Sequence, residues 1–161
     1  MPLQKVDSIE LSYYILAKSK PMNHLKLQKL AYFVEAYHLA YFDKSLIDDN
    51  FEAWLHGPVS RKLWNHFKPI SKIYTEITLN REIRSAANSF KKKIANDQLE
   101  LIDDVLEEFG DKTAYHLECL THSHDPWQIA RKGYADDDNC EVKIDKKNMK
   151  DFYKKQLYRA P

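Results

Sequence analysis

The apolar residues between His24 and Phe42 cover every side of a helix. One arc of a projection at about 100° per residue contains Leu27, Leu30, Ala31, Val34, Tyr37, His38 and Tyr41. The opposite arc contains Tyr32, Phe33, Ala36, Leu39 and Ala40. The strongly polar residues of the span are Lys26, Gln28, Lys29 and Glu35. Helices that are apolar all round are buried. The pattern therefore predicts a central core helix over about 24–42, with other helices packed around it.

Shorter amphipathic patterns predict further helices on both sides of this central one. Capping residues, prolines and Gly110 mark several of their ends. The first two predicted segments are Ser8–Lys18 and Pro58–Phe67. Asn96 or Asp97 caps a helix that contains Leu99 to Phe109, and Asp111 or Thr113 starts one that contains Ala114 to Leu120. Asp125-Pro126 opens a short helix to Arg131, and Asp145 caps a final helix through Tyr153. We expect a solvated helix or an irregular excursion over Asn80–Ile94, because this stretch is polar and basic.

Three short stretches have residues typical of β-structure or extended chain, near 51–55, 70–78 and 142–144. No internal repeat, linker or low-complexity segment divides the sequence. We therefore predict a mostly α fold, a single-domain helical bundle over 1–161 with at most short β pieces.

Composition narrows the fold and function classes further. The chain of 161 residues has 43% hydrophobic residues but three Gly. An all-β sandwich needs many tight turns, and a dinucleotide or P-loop site needs clustered glycines. The N-terminus lacks the apolar segment of a signal peptide, and no apolar run approaches about 20 residues. We expect a cytoplasmic protein without membrane partners.

Charge argues against nucleic acid as a partner. The formal net charge is +1, so no global field attracts a polyanion. Basic runs such as Lys91-Lys92-Lys93 are short, and those near the C-terminus are interleaved with acidic residues. Solvation is the usual role of such runs. A nucleic-acid-binding regulator therefore remains an alternative function rather than the preferred one.

His116, Cys119 and His122 are the candidate metal ligands, spaced i, i+3, i+6 on one predicted helix. Their spacing matches no closed zinc pattern. Cys119 is also a candidate nucleophile between two His, but a reactive Cys needs a lowered pKa and an oriented base. We therefore predict no catalytic residue, metal or other cofactor, and keep a metal-dependent enzyme as the least favoured alternative.

Three separated motifs resemble a known family in order and spacing. The first is Leu25-Lys-Leu-Gln-Lys-Leu30 with Tyr32-Phe33, and the second is Phe51-Glu-Ala-Trp54 with Gly57-Pro-Val59. The third is Leu120-Thr-His122 with Pro126-Trp127 and Ala130-Arg131. Together they are similar to the motifs of the Panacea antitoxin domain family, which includes SocA-like antitoxins and the phage-associated protein GepA.

The resemblance implies an antitoxin that is not an enzyme. Family members neutralise a cognate toxin by direct protein–protein binding. SocA itself also acts as an adaptor that delivers its toxin to the ClpXP protease, which the resemblance adds as an optional further role. The family does not name the toxin or the oligomeric state. We expect its motif residues to be mainly structural. They are Leu27, Lys29, Leu30, Tyr32, Phe33, Trp54, Gly57, Pro58, Val59, Thr121, His122, Pro126 and Trp127.

Partner recognition is predicted outside these motifs. Tyr is favoured in interfaces, and the poorly patterned Ile70–Lys93 segment can vary without threatening the core. The candidate partner-binding residues are Tyr74, Lys91, Lys92, Lys93 and Tyr134, with Tyr13 and Tyr158 as further exposed candidates.

Overall fold

A computed structural model of the chain describes residues 1–71 and 74–157. The described part is mostly helical, which confirms the predicted fold class. Its helices are α1 Ser8–Lys18, α2 His24–Phe42, α3 Arg61–Phe67, α4 Arg81–Lys92, α5 Asn96–Phe109, α6 Ala114–Ser123, α7 Asp125–Ala130 and α8 Lys146–Leu157. Its strands are β1 Phe51–Trp54 and β2 Gly57–Ser60, which form one antiparallel sheet.

Helix α2 lies at the centre of the molecule, as its apolar pattern predicts. The Asn23 side chain caps its first turn by accepting from the Lys26 N–H at 2.9 Å. Helices α1, α5, α6 and α8 pack against it, and fourteen of its residues are buried. The hydrophobic core contains side chains from every helix that the structure describes.

Of the two alternatives expected over Asn80–Ile94, the structure contains the helix, α4, but this helix packs along α1 instead of being fully solvated. Ile83, Ala87 and Phe90 are buried, and the Phe90 ring stacks on Tyr14 at 5.1 Å between centroids. Their i, i+4, i+7 spacing forms one apolar stripe within a polar sequence. The stripe is not evident from the sequence because the other positions of this helix are charged or polar, apart from Ala86.

A tight hairpin joins β1 to β2, with Trp54 opposite Gly57. The prediction of a helix beginning at Pro58 is therefore wrong, because Gly57–Ser60 pairs with β1 instead. Helix α3 begins at Arg61, and the Ser60 hydroxyl caps it by accepting from the Leu63 N–H at 3.2 Å. Proline is tolerated in an edge strand as well as in a first helical turn, so Pro58 fits either reading.

The predicted extended piece near 142–144 lies along the other edge of β1. The Ala53 N–H donates to the Val142 carbonyl at 2.8 Å, and the Ile144 N–H donates to the Phe51 carbonyl at 2.7 Å. The stretch 70–78 contains no strand in its described part, where Glu76 forms a single bridge with Asn23. Residues 72 and 73 of that stretch lie outside the described residues.

Among the helices that the structure describes, none combines the length and apolar character that crossing a membrane requires.

Candidate functional site

The second and third sequence motifs meet at the turn of the β1–β2 hairpin. The Trp127 indole N–H of α7 donates to the Trp54 carbonyl at 2.9 Å. Arg131 donates from Nη1 to the Ala53 carbonyl at 2.9 Å. The His122 ring of α6 stacks on Trp127, with 4.0 Å between centroids and 18° between planes. The third motif therefore holds the end of β1 in place.

The first motif contacts the same turn through Lys29 of α2. Gly57 has a φ of +106°, which disfavours any residue with a side chain. A Cβ at this position would also overlap the Lys29 Cε atom and lie 3.1 Å from the Thr121 Oγ1 atom. Gly57 is therefore required both by its backbone conformation and by the close approach of α2 and α6. We call the region around Lys29, Trp54, Gly57, Thr121 and Trp127 the motif junction.

Three of the four strongly polar residues in α2 have clear partners. Lys26 donates to the Gly110 carbonyl at 2.6 Å. Glu35 is fully buried, accepts from the Leu46 N–H at 2.7 Å and pairs with Lys146 at 2.7 Å. These bonds connect α2 to α5, to the chain before β1 and to α8.

Gln28 is the third, and its amide binds the outer edge of β2. The Ser60 N–H donates to Gln28 Oε1 at 2.9 Å, and Gln28 Nε2 donates to the Ser60 carbonyl at 3.3 Å. A single side chain therefore satisfies both backbone groups of Ser60. The sequence marked Gln28 only as a polar interruption of an apolar helix.

Lys29 differs from these three residues. Its side chain is buried, and its Nζ atom has no hydrogen-bond partner among the described residues. Burial lowers the pKa of Lys29 from 10.5 to about 8, although the charge of Glu118 acts in the opposite direction. An unpaired ammonium in a protein interior is costly. The motif junction therefore contains a residue that opposes the stability of the fold.

Four further first-motif residues lie in the core. Leu27, Leu30, Tyr32 and Phe33 are fully buried. The Phe33 ring stacks on Phe109 at 4.3 Å, and the Tyr153 hydroxyl donates to the Tyr32 hydroxyl at 3.3 Å. Pro126 and Val59 are also buried.

Arg131 attaches the loop Gly133–Cys140, which we call the acidic loop, to the hairpin. The guanidinium is buried and lies 4.8 Å from the centre of the Trp127 ring. Its Nη2 donates to the Ala135 carbonyl at 3.1 Å and also to the Asp138 carbonyl. Arg131 belongs to the third motif, but its role cannot be predicted from the sequence. The carbonyls that it binds belong to β1 and to the acidic loop, which are far apart in the sequence.

An open groove lies beside the motif junction, and we call it the hairpin groove. Its volume is about 660 Å³. The lining residues are Leu25, Trp54, Leu55, His56, Val59, Trp64, Tyr134, Asn139, Cys140 and Glu141. Trp54 and Trp64 meet edge to face at 5.3 Å, and Tyr134 is 45% exposed. Three aromatic side chains, Trp54, Trp64 and Tyr134, thus contribute to the lining of this concave surface.

Of the predicted partner-binding residues that the structure describes, Tyr134 alone lines this groove. Tyr74 is 75% exposed, and Lys91 and Lys92 are exposed at the end of α4. Lys93 pairs with Glu10 of α1 at 3.1 Å.

The two further tyrosine candidates offer less. The Tyr13 hydroxyl is hydrogen-bonded to His66 Nε2 at 2.8 Å within the fold. Tyr158 lies outside the described residues.

The structure separates the candidate metal ligands. His116 and Cys119 are exposed on α6, whereas His122 is packed on Trp127. Within residues 1–71 and 74–157, no group of three or more His, Cys, Asp or Glu side chains is arranged to hold a metal ion. Burial lowers the pKa of His122, against the opposing charge of Glu118.

Comparisons with known proteins support the family resemblance of the three motifs. The family model described as "Antitoxin SocA-like, Panacea domain" matches residues 27–128, more than half of the chain. Antitoxin SocA of Caulobacter vibrioides (strain NA1000 / CB15N) is 29% identical over 163 residues, covering 95% of this chain and 85% of SocA. No solved structure matches the chain. The chain belongs to the family of SocA-like antitoxins with a Panacea domain.

Proposed function

We propose that this protein is an antitoxin that neutralises a cognate toxin by binding it directly, without catalysis. The observation that supports this most is how the motif junction uses its side chains. Trp127 and Arg131 hold backbone carbonyls, Thr121 is buried, and Gly57 permits close packing. Motif residues that build a scaffold leave function to the surface around it. Because the chain belongs to an antitoxin family, we infer that this surface binds a toxin protein.

The arrangement of His122 and Cys119 gives less support to a catalytic role. A nucleophile needs a base within hydrogen-bond reach and a third group that orients this base. The His122 ring instead stacks on Trp127, and its Nε2 atom is buried without a partner among the described residues. Cys119 is exposed on α6. We therefore regard binding as the activity of the protein.

Delivery of the bound toxin to the ClpXP protease is a second step that the family resemblance adds to the proposal. An adaptor of this kind must leave a surface free for the protease while the toxin is bound. The half-life of the toxin in cells would reveal this step. We expect it to shorten when this protein is present and to recover when ClpX is absent.

Growth of cells that express the adjacent gene tests the proposal. That gene alone should arrest growth, and co-expression of this protein should restore it. A destabilised variant, Leu30→Asn, provides the control, since it buries a polar group in the core. Growth arrest that persists with the wild-type chain, or an adjacent gene that is harmless alone, would contradict the proposal.

A further inference from the structure

The hairpin groove has the properties of an anchor site for one large side chain. Trp54, Trp64 and Tyr134 line it from three separate segments. Aromatic residues are enriched at binding hot spots, where they surround a buried anchor of the partner. A volume of about 660 Å³ exceeds what one side chain needs, so part of the adjoining backbone can also enter.

The walls of this groove are held in place before any partner arrives. The Trp54 indole N–H donates to Glu52 at 2.9 Å, and the Arg61 guanidinium lies 5.1 Å from the centre of the Trp54 ring. Trp64, which contacts the Trp54 ring, stacks on the buried His24 ring at 4.9 Å between centroids. Preorganised side chains lose little conformational entropy on binding, which favours affinity.

The wall formed by Tyr134 is held in place by the acidic loop, which Arg131 binds. The Tyr134 N–H donates to the Arg131 carbonyl at 2.9 Å, and the guanidinium of the same residue holds the carbonyls of Ala135 and Asp138. Tyr134 nevertheless keeps 45% of its surface exposed. A side chain on a fixed backbone with an exposed ring is suited to contact a partner.

Charges on the groove rim select the kind of partner. Glu141 lines the groove with 72% of its side chain exposed, and the loop beside it exposes Asp136, Asp137 and Asp138. Arg61 pairs with both Glu52 and Glu141 at 2.9 Å, so one cation faces two carboxylates and the cluster keeps a net negative charge.

Lysines flank this acidic loop only outside its ends. Lys132 precedes Tyr134 and Lys143 follows Glu141, whereas residues 134–141 contain no Lys or Arg. Of these acidic residues, Glu141 lines the groove itself, whereas Asp136 lines an adjoining pocket together with Tyr134 and Lys132. The chain around Tyr134 is therefore negative, and its complement is a positive surface.

We propose that the hairpin groove receives an apolar or aromatic side chain from a toxin segment that carries Lys or Arg beside it. This inference rests on the proposed function, because it assigns the surface through which the toxin is bound. The aromatic lining takes the apolar side chain, and the acidic rim pairs with the adjacent cation. Specificity for one toxin can still involve other surfaces.

The test uses the purified full chain and the product of the adjacent gene. Two variants address the groove, namely Tyr134→Ala for the aromatic wall and the double change Asp136→Lys with Asp137→Lys for the rim. Each should raise the Kd about tenfold or more, as expected for residues near an anchor. The rim variant should also lose the weakening of binding that added salt causes in the wild type.

Matched controls are available on other faces of the chain. Tyr115 is 74% exposed on α6, and Glu107 and Glu108 are exposed on α5. Tyr115→Ala, and the double change Glu107→Lys with Glu108→Lys, should leave the Kd within about twofold. Circular dichroism and thermal unfolding of every variant should match the wild type, which excludes misfolding as the cause of weaker binding.

The outcomes separate this inference from the proposed function. If the wild-type chain binds the toxin and both groove variants bind equally well, the groove assignment is wrong while the proposed function stands. A loss in Tyr134→Ala alone would overturn the requirement for a cation. If the isolated chain is a dimer that the groove variants dissociate, a second copy occupies the groove and the inference fails. If the wild-type chain does not bind, the proposed function itself fails.

Discussion

The Trp127 indole N–H donates to the carbonyl oxygen of Trp54, 2.9 Å away. This bond connects the first turn of α7 to the last residue of β1, and it lies where two of the three sequence motifs meet. The Trp127 side chain is 6% exposed, and its ring stacks on His122 at 4.0 Å between centroids. The hairpin groove therefore depends on a buried Trp that does not itself line the groove.

Removing the Trp127 ring should destabilise the fold. Trp127→Ala should lower the free energy of unfolding by about 3–5 kcal/mol, because it opens a cavity and leaves the Trp54 carbonyl unpaired. Trp127→Phe keeps most of the ring and should cost less, about 1–3 kcal/mol. Urea denaturation would measure both. A Trp127→Ala variant with wild-type stability and weaker toxin binding would place this residue in the interface instead.

Lys29 should oppose stability at neutral pH. Lys29→Met keeps the stem that packs on Gly57 and removes the buried charge, so it should raise the free energy of unfolding at pH 7 by about 1–3 kcal/mol. A decrease at pH 7 would show that the ammonium has a favourable partner in solution.

The effect of pH on Lys29 gives a second readout. Its pKa is about 8 in the folded chain and 10.5 ordinarily, so the unfolded chain binds more protons between these values. Wild-type stability should therefore rise with pH across this window, as far as Lys29 contributes. The advantage of Lys29→Met over the wild type should shrink by about 1–2 kcal/mol at pH 9.5.

Buried histidines should make the protein sensitive to acid. Burial lowers the pKa of His24 from 6.5 to about 4, and the charge of Lys29 acts in the same direction. Below pH 6.5 the unfolded chain gains a proton at His24 that the folded chain does not, so stability falls as the pH decreases towards 4. His24 alone should contribute a loss of about 2 kcal/mol between pH 7 and pH 5.

His24→Gln isolates this contribution. The variant loses the stack on Trp64 and so starts less stable at pH 7, but its stability should change less between pH 7 and pH 5. His38, His122 and His124, whose pKa values burial also lowers, contribute to the remaining change in the same direction. Glu35, whose pKa burial raises, contributes in the opposite direction. Equal pH dependence in the wild type and the variant would contradict the neutral state of His24.

Exchange of the Ile70–Lys93 segment tests where toxin choice is encoded. Replacing it with the same segment of a relative should change which toxin is neutralised, because Tyr74, Lys91 and Lys92 are exposed there. The graft should retain Ile83, Ala87 and Phe90, which pack α4 on the core. Growth assays against both toxins would give the result, with helix content as the control. Unchanged toxin choice would locate recognition in other parts of the surface.

The sequence could predict elements whose evidence is local. The pattern from His24 to Phe42 predicts α2, because apolar residues lie on every side of the helix. This pattern can be recognised without knowing which elements pack against it. Pro58 suits both the first turn of a helix and an edge strand, so local sequence does not distinguish the two. The pairing with β1 shows that it lies in the strand.

The candidate site could not be predicted in the same way, since it is assembled from distant segments. Leu25, Trp64 and Tyr134 meet in the hairpin groove only once α2, α3 and the acidic loop are packed together. The unpaired state of Lys29 depends on how closely Gly57 and Thr121 approach it. A motif can show that these residues belong together, but it does not give the surface that they leave exposed.

Titration of the purified chain with the purified product of the adjacent gene tests the central claim most directly. The account predicts saturable binding by calorimetry, with the activity of the toxin falling in proportion to the complex formed. It also predicts that heat-denatured protein has no effect. Growth protection in cells without any complex between the purified proteins would contradict neutralisation by direct binding.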